Sequence, residues 1–203
     1  MTSTTQQNTK KRVEIDFMFL DLEVCTRCRN TDSNLEAALD MVRSVLQSAG
    51  VEALVRKTLV DSEQKAMELG FVSSPTIRVN GRDIALEFRE SSCASCGEAC
   101  ACEGNIDCRV WVYQDQEYTA APAPMIVDAI LAAVYGAKEA EPASTQVAPV
   151  PENLKRFFAA KAAKAQSACC GAEEQETCCA PTEKSSCCAP AASVAQPAAC
   201  GCQ

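Results

Sequence analysis

Two hydrophobic periods alternate along residues 13–136. Val13 to Leu22 reads VEIDFMFLDL, rich in Val, Ile, Phe and Leu and short enough for a buried strand. Beyond it the period lengthens. Leu35, Ala38, Leu39, Val42, Val45, Leu46 and Ala49 recur at helical spacing, Ser33-x-x-Glu36 reads as a capping box that starts the helix, and Gly50 stops it. Val51 to Val60 predicts a second strand. Asp61 caps a short helix through Leu69, ended by Gly70. Pro75 to Val79 is a third strand, Asn80-Gly81 is a hairpin turn, and Arg82 to Phe88 returns as a fourth strand. Arg109 to Tyr113 predicts a further strand that pairs with Glu117–Tyr118. Pro122 and Pro124 open a last helix, with Met125, Ile126, Ala129, Ile130, Ala133 and Val134 on its apolar face.

The resulting order, β-α-β-α-β-β-(loop, β)-α, predicts an α/β domain over residues 12–136: a mixed sheet flanked by helices. A cysteine-rich loop is inserted at 89–108. Residues 137–151 are rich in Ala, Pro and Glu and read as a linker. Leu154, Phe157, Phe158 and Ala162 predict a short amphipathic helix over 152–166, with Lys155, Arg156, Lys161 and Lys164 opposite or flanking. Residues 167–203 contain little besides Cys and small or polar residues, too little apolar surface for a core, and read as a disordered tail.

Charge and length narrow the function classes. The chain has 203 residues, a formal net charge of −8 and no histidine. The negative balance argues against a nucleic-acid or anionic-membrane surface. No apolar run approaches the roughly 20 residues of a membrane span, and Met1 to Lys11 lacks the hydrophobic segment of a signal peptide. A cytoplasmic location is therefore expected, where thiols are held reduced and clustered cysteines serve reactivity or metal binding more often than disulfides. Without histidine, no Ser/His/Asp, Cys/His or histidine-containing metal site exists, and no phosphate-loop or dinucleotide fingerprint is present.

The chemistry rests on 15 cysteines in three groups. Cys25 and Cys28 form a CxxC, whose thiols can join as a disulfide, grip one ion, or pack as small hydrophobes. Arg27 and Arg29 stand close enough in sequence to favour a thiolate. With the helix starting at Ser33, however, the CxxC is expected in a loop, where the helix dipole helps less. Cys93, Cys96, Cys100, Cys102 and Cys108 crowd the inserted loop. Four thiolates there can surround zinc or an iron–sulfur cluster, three can hold arsenite, and disulfides or zinc can equally serve to pin the loop. Cys169–Cys170, Cys178–Cys179, Cys187–Cys188, Cys200 and Cys202 repeat along the tail. Adjacent cysteines suit dithiol chelation of a soft ion, the alternative being a functionally neutral tail.

The CxxC after the first strand and the segment Val72-Ser73-Ser74-Pro75-Thr76-Ile77-Arg78-Val79-Asn80-Gly81 resemble thioredoxin- and glutaredoxin-like proteins. The resemblance implies a thioredoxin fold with a cis proline at Pro75 facing the CxxC. The whole pattern, with its cysteine-rich insertion and paired-cysteine tail, also resembles a smaller thioredoxin-like family whose bacterial members tend to appear in arsenic- or heavy-metal-handling settings. Two functions follow as expectations. One is thiol–disulfide exchange or reduction linked to arsenic or heavy-metal handling. Here Cys25 attacks, Cys28 resolves and Pro75 positions a thiol or disulfide partner protein, with no cofactor needed for redox activity. The other is non-enzymatic binding of a soft metal or metalloid such as arsenite, mercury, copper(I) or zinc, with ion binding that depends on the tail. A weaker third reading is a redox sensor or interaction module whose thiols switch partner binding.

Overall fold

The computed structural model describes residues 11–102, 106–136 and 149–167. The expected linker at 137–151 falls mostly outside these residues, and the cysteines of the tail do so entirely.

The first strand, β1 (Lys11–Phe19), buries Val13, Ile15 and Phe17 on one face. Helix α1 (Thr26–Ser48) follows, then β2 (Val51–Leu59), α2 (Glu63–Glu68), β3 (Thr76–Val79) and β4 (Arg82–Asp83). These strands form a mixed sheet in the order β2-β1-β3-β4. β1 runs parallel to β2 and antiparallel to β3, and β3 is antiparallel to β4. The expectation of a mixed sheet flanked by helices holds. Gly50, at φ +64°, turns the chain from α1 into β2.

Helix α1 starts earlier than its sequence suggests. Its N-cap is Cys25, whose Sγ accepts the backbone N–H of Cys28, and not Ser33. The extra turns are held by tertiary burial. Cys28, Thr31, Leu35, Ala38, Val42 and Leu46 lie on one buried stripe, and Thr31 Oγ1 accepts the N–H of Ala121. An S-x-x-E sequence also fits a helix interior, so Ser33 carried no decision. The CxxC therefore lies on the first turn of a helix and not in a loop.

Residues 89–108 also differ from expectation. The predicted fourth strand, 82–88, pairs only at Arg82–Asp83, and Leu86 is 99% exposed. A new strand, β5 (Arg89–Cys93), leads into α3 (Ala94–Cys100) and returns as β6 (Ile106–Tyr113). With β7 (Gln116–Tyr118) these make a second, antiparallel sheet in the order β5-β6-β7. The insertion is thus a hairpin with a helix at its tip. The polar sequence Arg89-Glu-Ser-Ser gave no strand pattern, and only pairing with the apolar β6 makes it one.

Helix α4 (Ala123–Tyr135) packs on α1, burying Met125, Ile126, Ile130 and Val134. Helix α5 (Glu152–Ser167) buries Leu154, Phe157 and Phe158 and packs on α2, α3 and β6. Asn153 makes two hydrogen bonds to the backbone of Asp107, which anchors the start of α5 to β6. The two sheets meet at the loop before β3. The N–H of Arg109 on β6 donates to Ser74 O at 2.8 Å, and the Ser74–Pro75 peptide is cis.

Candidate metal centre

Four cysteines converge at that junction, one from the helix after β1 and three from the β5-α3-β6 hairpin. Cys25 comes from the start of α1, Cys93 from the end of β5, Cys96 from α3 and Cys108 from β6. Their Sγ atoms all lie within 4.8 Å of one another. Cys96 Sγ is 3.3 Å from Cys25 Sγ and 3.0 Å from Cys108 Sγ. All four residues are buried, Cys93 at 4% exposure and the others at 0%. Ligands at about 2.3 Å from a tetrahedral ion would put sulfurs about 3.8 Å apart, so a small adjustment of the side chains closes the set around one ion.

Local sequence explains the convergence. In β6, Cys108 alternates with exposed Asp107 and is turned inward by the strand's period of two. Cys93 ends β5 and caps α3, so the chain reverses there and Cys96 comes back over it one helical turn later. Arg27, the third residue of the Cys25-Thr-Arg-Cys28 motif, braces the two halves. Its guanidinium donates to Ser92 O at 2.7 Å, Ser91 Oγ at 3.0 Å and Cys108 O at 3.2 Å. Arg27 and Arg29 thus spend their donors on carbonyls and a hydroxyl, Arg29 on Glu23 O. The expected direct support of a thiolate is replaced by support of the backbone around it.

The thiols also set one another's proton affinity. Cys25 is drawn far below the ordinary thiol range by hydrogen bonds from Cys108, Cys28, Cys93 and Cys96, against its burial. Cys93 is lowered to about 6, chiefly by Cys108. Cys108 is pushed up by Cys25, Cys93 and Cys96. Cys96, although Cys108 draws it down, is pushed up by Cys25, Cys93 and burial. Among the four, Cys25 and Cys93 are drawn toward the thiolate and Cys96 and Cys108 toward the thiol. This is an arrangement in which a cation can replace protons.

Residues 13–130 match the model of a family described as a domain of unknown function, DUF2703. The chain belongs to that family. The matched span contains all four converging cysteines and ends before α5. No curated protein and no solved structure matches the chain.

The remaining candidates separate. Cys28 stands beside the cluster, its Sγ 3.3 Å from Ser74 Oγ, and its thiol is pushed up by Cys25 and by burial. Cys100 and Cys102 are joined to each other as a disulfide and take no part in the four-sulfur set. Their x-separated spacing across the end of α3 brings the two Cα atoms within 5.1 Å, where Ala101 adopts a left-handed conformation. Pro75 lies next to Ser74, the residue that contacts Cys28. Cys169, Cys170, Cys178, Cys179, Cys187, Cys188, Cys200 and Cys202 lie outside the described residues. Sequence reasoning missed Ser74 and Arg109, and the only signal for them was their adjacency to Pro75 and Cys108. Arg109 is 2% exposed, donates to both carboxylate oxygens of Asp83 at 2.8 Å, and lies against the rings of Phe88 and Trp111.

Proposed function

We propose that this protein binds a soft, thiophilic metal or metalloid ion at Cys25, Cys93, Cys96 and Cys108. The observation that carries this reading is the mutual approach of four buried sulfurs, one from the start of α1 and three from the β5-α3-β6 hairpin. An all-sulfur set selects soft or borderline ions, and four-fold coordination suits zinc, whereas three of the four sulfurs suit arsenite. The burial of the sulfurs favours holding an ion over rapid turnover. The wider settings of arsenic or heavy-metal handling, and a location in the cytoplasm, belong to this proposal. The paired cysteines of the tail add capture sites in the same scheme.

A second reading is thiol–disulfide exchange of thioredoxin type, with Cys25 attacking and Cys28 resolving. It is supported by Cys25 as the N-cap of α1 and by its low proton affinity. The mixed sheet with its βαβ start accords with a thioredoxin-like fold.

The two readings part at Cys28. Native mass spectrometry of the reduced, anaerobically purified full chain, titrated with zinc and separately with arsenite, counts bound atoms. Cys96→Ser and Cys108→Ser are expected to bind one zinc fewer than the natural chain, and Cys28→Ser the same number. In a coupled disulfide-reduction assay, Cys28→Ser abolishes turnover only if exchange is the activity. Equal zinc counts in the natural chain and in both Cys96→Ser and Cys108→Ser would sink the metal-site reading.

A further inference from the structure

Strand β2 stands at one end of the four-stranded sheet. Among the described residues it pairs only with β1, in an unbroken register from Lys11↔Val51 to Phe19↔Leu59, and it contains no proline, glycine or bulge. A nine-residue strand of this kind is a template for another strand. Its outward groups follow from one hydrogen bond. The N–H of Val60 donates to Phe19 O at 2.8 Å, so even positions turn their peptide groups toward β1. Alternation then turns those of Val51, Ala53, Val55, Lys57 and Leu59 outward.

The side chains on the even face carry a self-complementary pattern. Arg12 on β1 reaches Glu52 at 3.6 Å, and Asp16 on β1 reaches Arg56 at 2.7 Å. Leu54 lies between Glu52 and Arg56 and is 47% exposed. We propose that a second copy of this chain pairs antiparallel with β2 about a two-fold axis through Leu54. Ala53 then exchanges both peptide hydrogen bonds with Val55 of the second copy. The two Leu54 side chains meet at the axis, and Glu52 falls opposite Arg56 of the second copy, both in the closer, non-hydrogen-bonded kind of pair. The row across the joint runs Arg12, Glu52, then Arg56 and Asp16 of the second copy, with charge alternating at every step. The symmetry repeats the row on the other side of Leu54.

No neighbouring register does this. An axis at Val55 sets Glu52 against Thr58 and Leu54 against Arg56. An axis at Ala53 sets Glu52 against Leu54. On the opposite face, α1 and β2 leave a groove of about 530 Å³ lined by Leu39, Leu46, Val51, Ala53 and Val55, which lies along the joint and gains a cover. The charge order of the strand itself, repeated head to tail, is what makes the second copy the fitting occupant.

Sedimentation of the full chain in reducing buffer tests the pairing. The natural chain is expected to sediment at twice the chain mass. Glu52→Arg, Arg56→Glu and Leu54→Lys are each expected to sediment as single chains, a loss of at least tenfold in association. An equimolar mixture of the Glu52→Arg and Arg56→Glu chains is expected to recover the dimer, since every cross-joint pair is again of opposite sign. A natural chain that stays single, variants that stay paired, or a mixture that stays single each overturn the proposal. Circular dichroism confirms that the exposed substitutions leave the fold intact, and the Leu54→Lys chain, with all charge pairs kept, must separate for the proposal to stand.

Discussion

The two sheets meet at the thiol cluster but differ in what fills their interiors. Under the four-stranded sheet the interior is hydrocarbon: Val13, Ile15 and Phe17 pack with Leu35, Ala38 and Val42 of α1 and with Ile126 and Ile130 of α4. The three-stranded sheet has a mixed interior. Cys93, Cys96 and Cys108 stand beside Ile106 and Trp111, and a buried guanidinium, Arg109, is held between rings and a carboxylate. Apolar packing is non-directional and tolerates modest change in shape. Thiols and a paired charge are directional, and each depends on partners from another element. The first sheet can therefore serve as a frame, whereas the second is built around contacts whose loss is felt at the site.

Leu35→Ala should have the largest effect on stability, a loss of about 3 kcal/mol, because a fully buried leucine leaves a cavity in hydrocarbon. Denaturant unfolding measures it, and the zinc count should stay unchanged, which separates frame from site. Arg109→Ala should cost about 2 kcal/mol in the same assay, since it leaves the Asp83 carboxylate without its partner and empties the space between two rings. Unlike the leucine change, it should also weaken ion binding, because the Arg109 side chain fixes the β6 residue next to Cys108 against Asp83, Phe88 and Trp111.

Smaller effects sharpen the same contrast. Arg27→Ala should lower zinc affinity about tenfold, corresponding to about 1.4 kcal/mol, with the stoichiometry intact. It removes the brace between Cys25's helix and the strands carrying Cys93 and Cys108. Competition with a chelator of known affinity reads this out, and an unaltered affinity would show that the strands hold their register without the brace. The smallest effect is expected at Glu90 on β5. Burial raises its carboxyl above the usual range. The folded state therefore binds its proton more tightly than the unfolded state. The stability this brings is full below the ordinary carboxylate pKa and is lost as pH rises through the raised one. Glu90→Gln should accordingly stabilise the protein slightly at neutral pH, by about 0.5 kcal/mol given its partial exposure, with the gain fading in acid. Unfolding curves at two pH values check the sign.

Much of the first sheet was legible because its strands and helices carry one period each. β1, α1 beyond Ser33, β2 and α4 announce themselves by alternation or by helical recurrence, and the turns at Gly50 and Asn80-Gly81 punctuate them. The start of α1 was not legible. Thr26 to Asp32 is polar, and what makes it helical is a sulfur cap and the burial of Cys28 against Ser74, 46 positions away, and of Thr31 against Ala121, 90 positions away. The insertion was read as a loop for a related reason. Arg89 to Ser92 has no apolar period, and β5 exists only because β6 supplies its partner groups.

By itself the sequence determined the inventory: a mixed α/β domain, an acidic chain without histidine, and thiols in three groups. Which thiols act together was decided only in three dimensions. Cys25 pairs by spacing with Cys28, yet the structure sets it within reach of Cys93, Cys96 and Cys108, and it removes Cys100 and Cys102 from that set by joining them to each other. Spacing along a chain fixes contacts only within one element. The convergence of sulfurs from a helix start, a strand end, a short helix and a second strand depends on how two sheets pack, and packing is governed by side chains scattered over the whole fold.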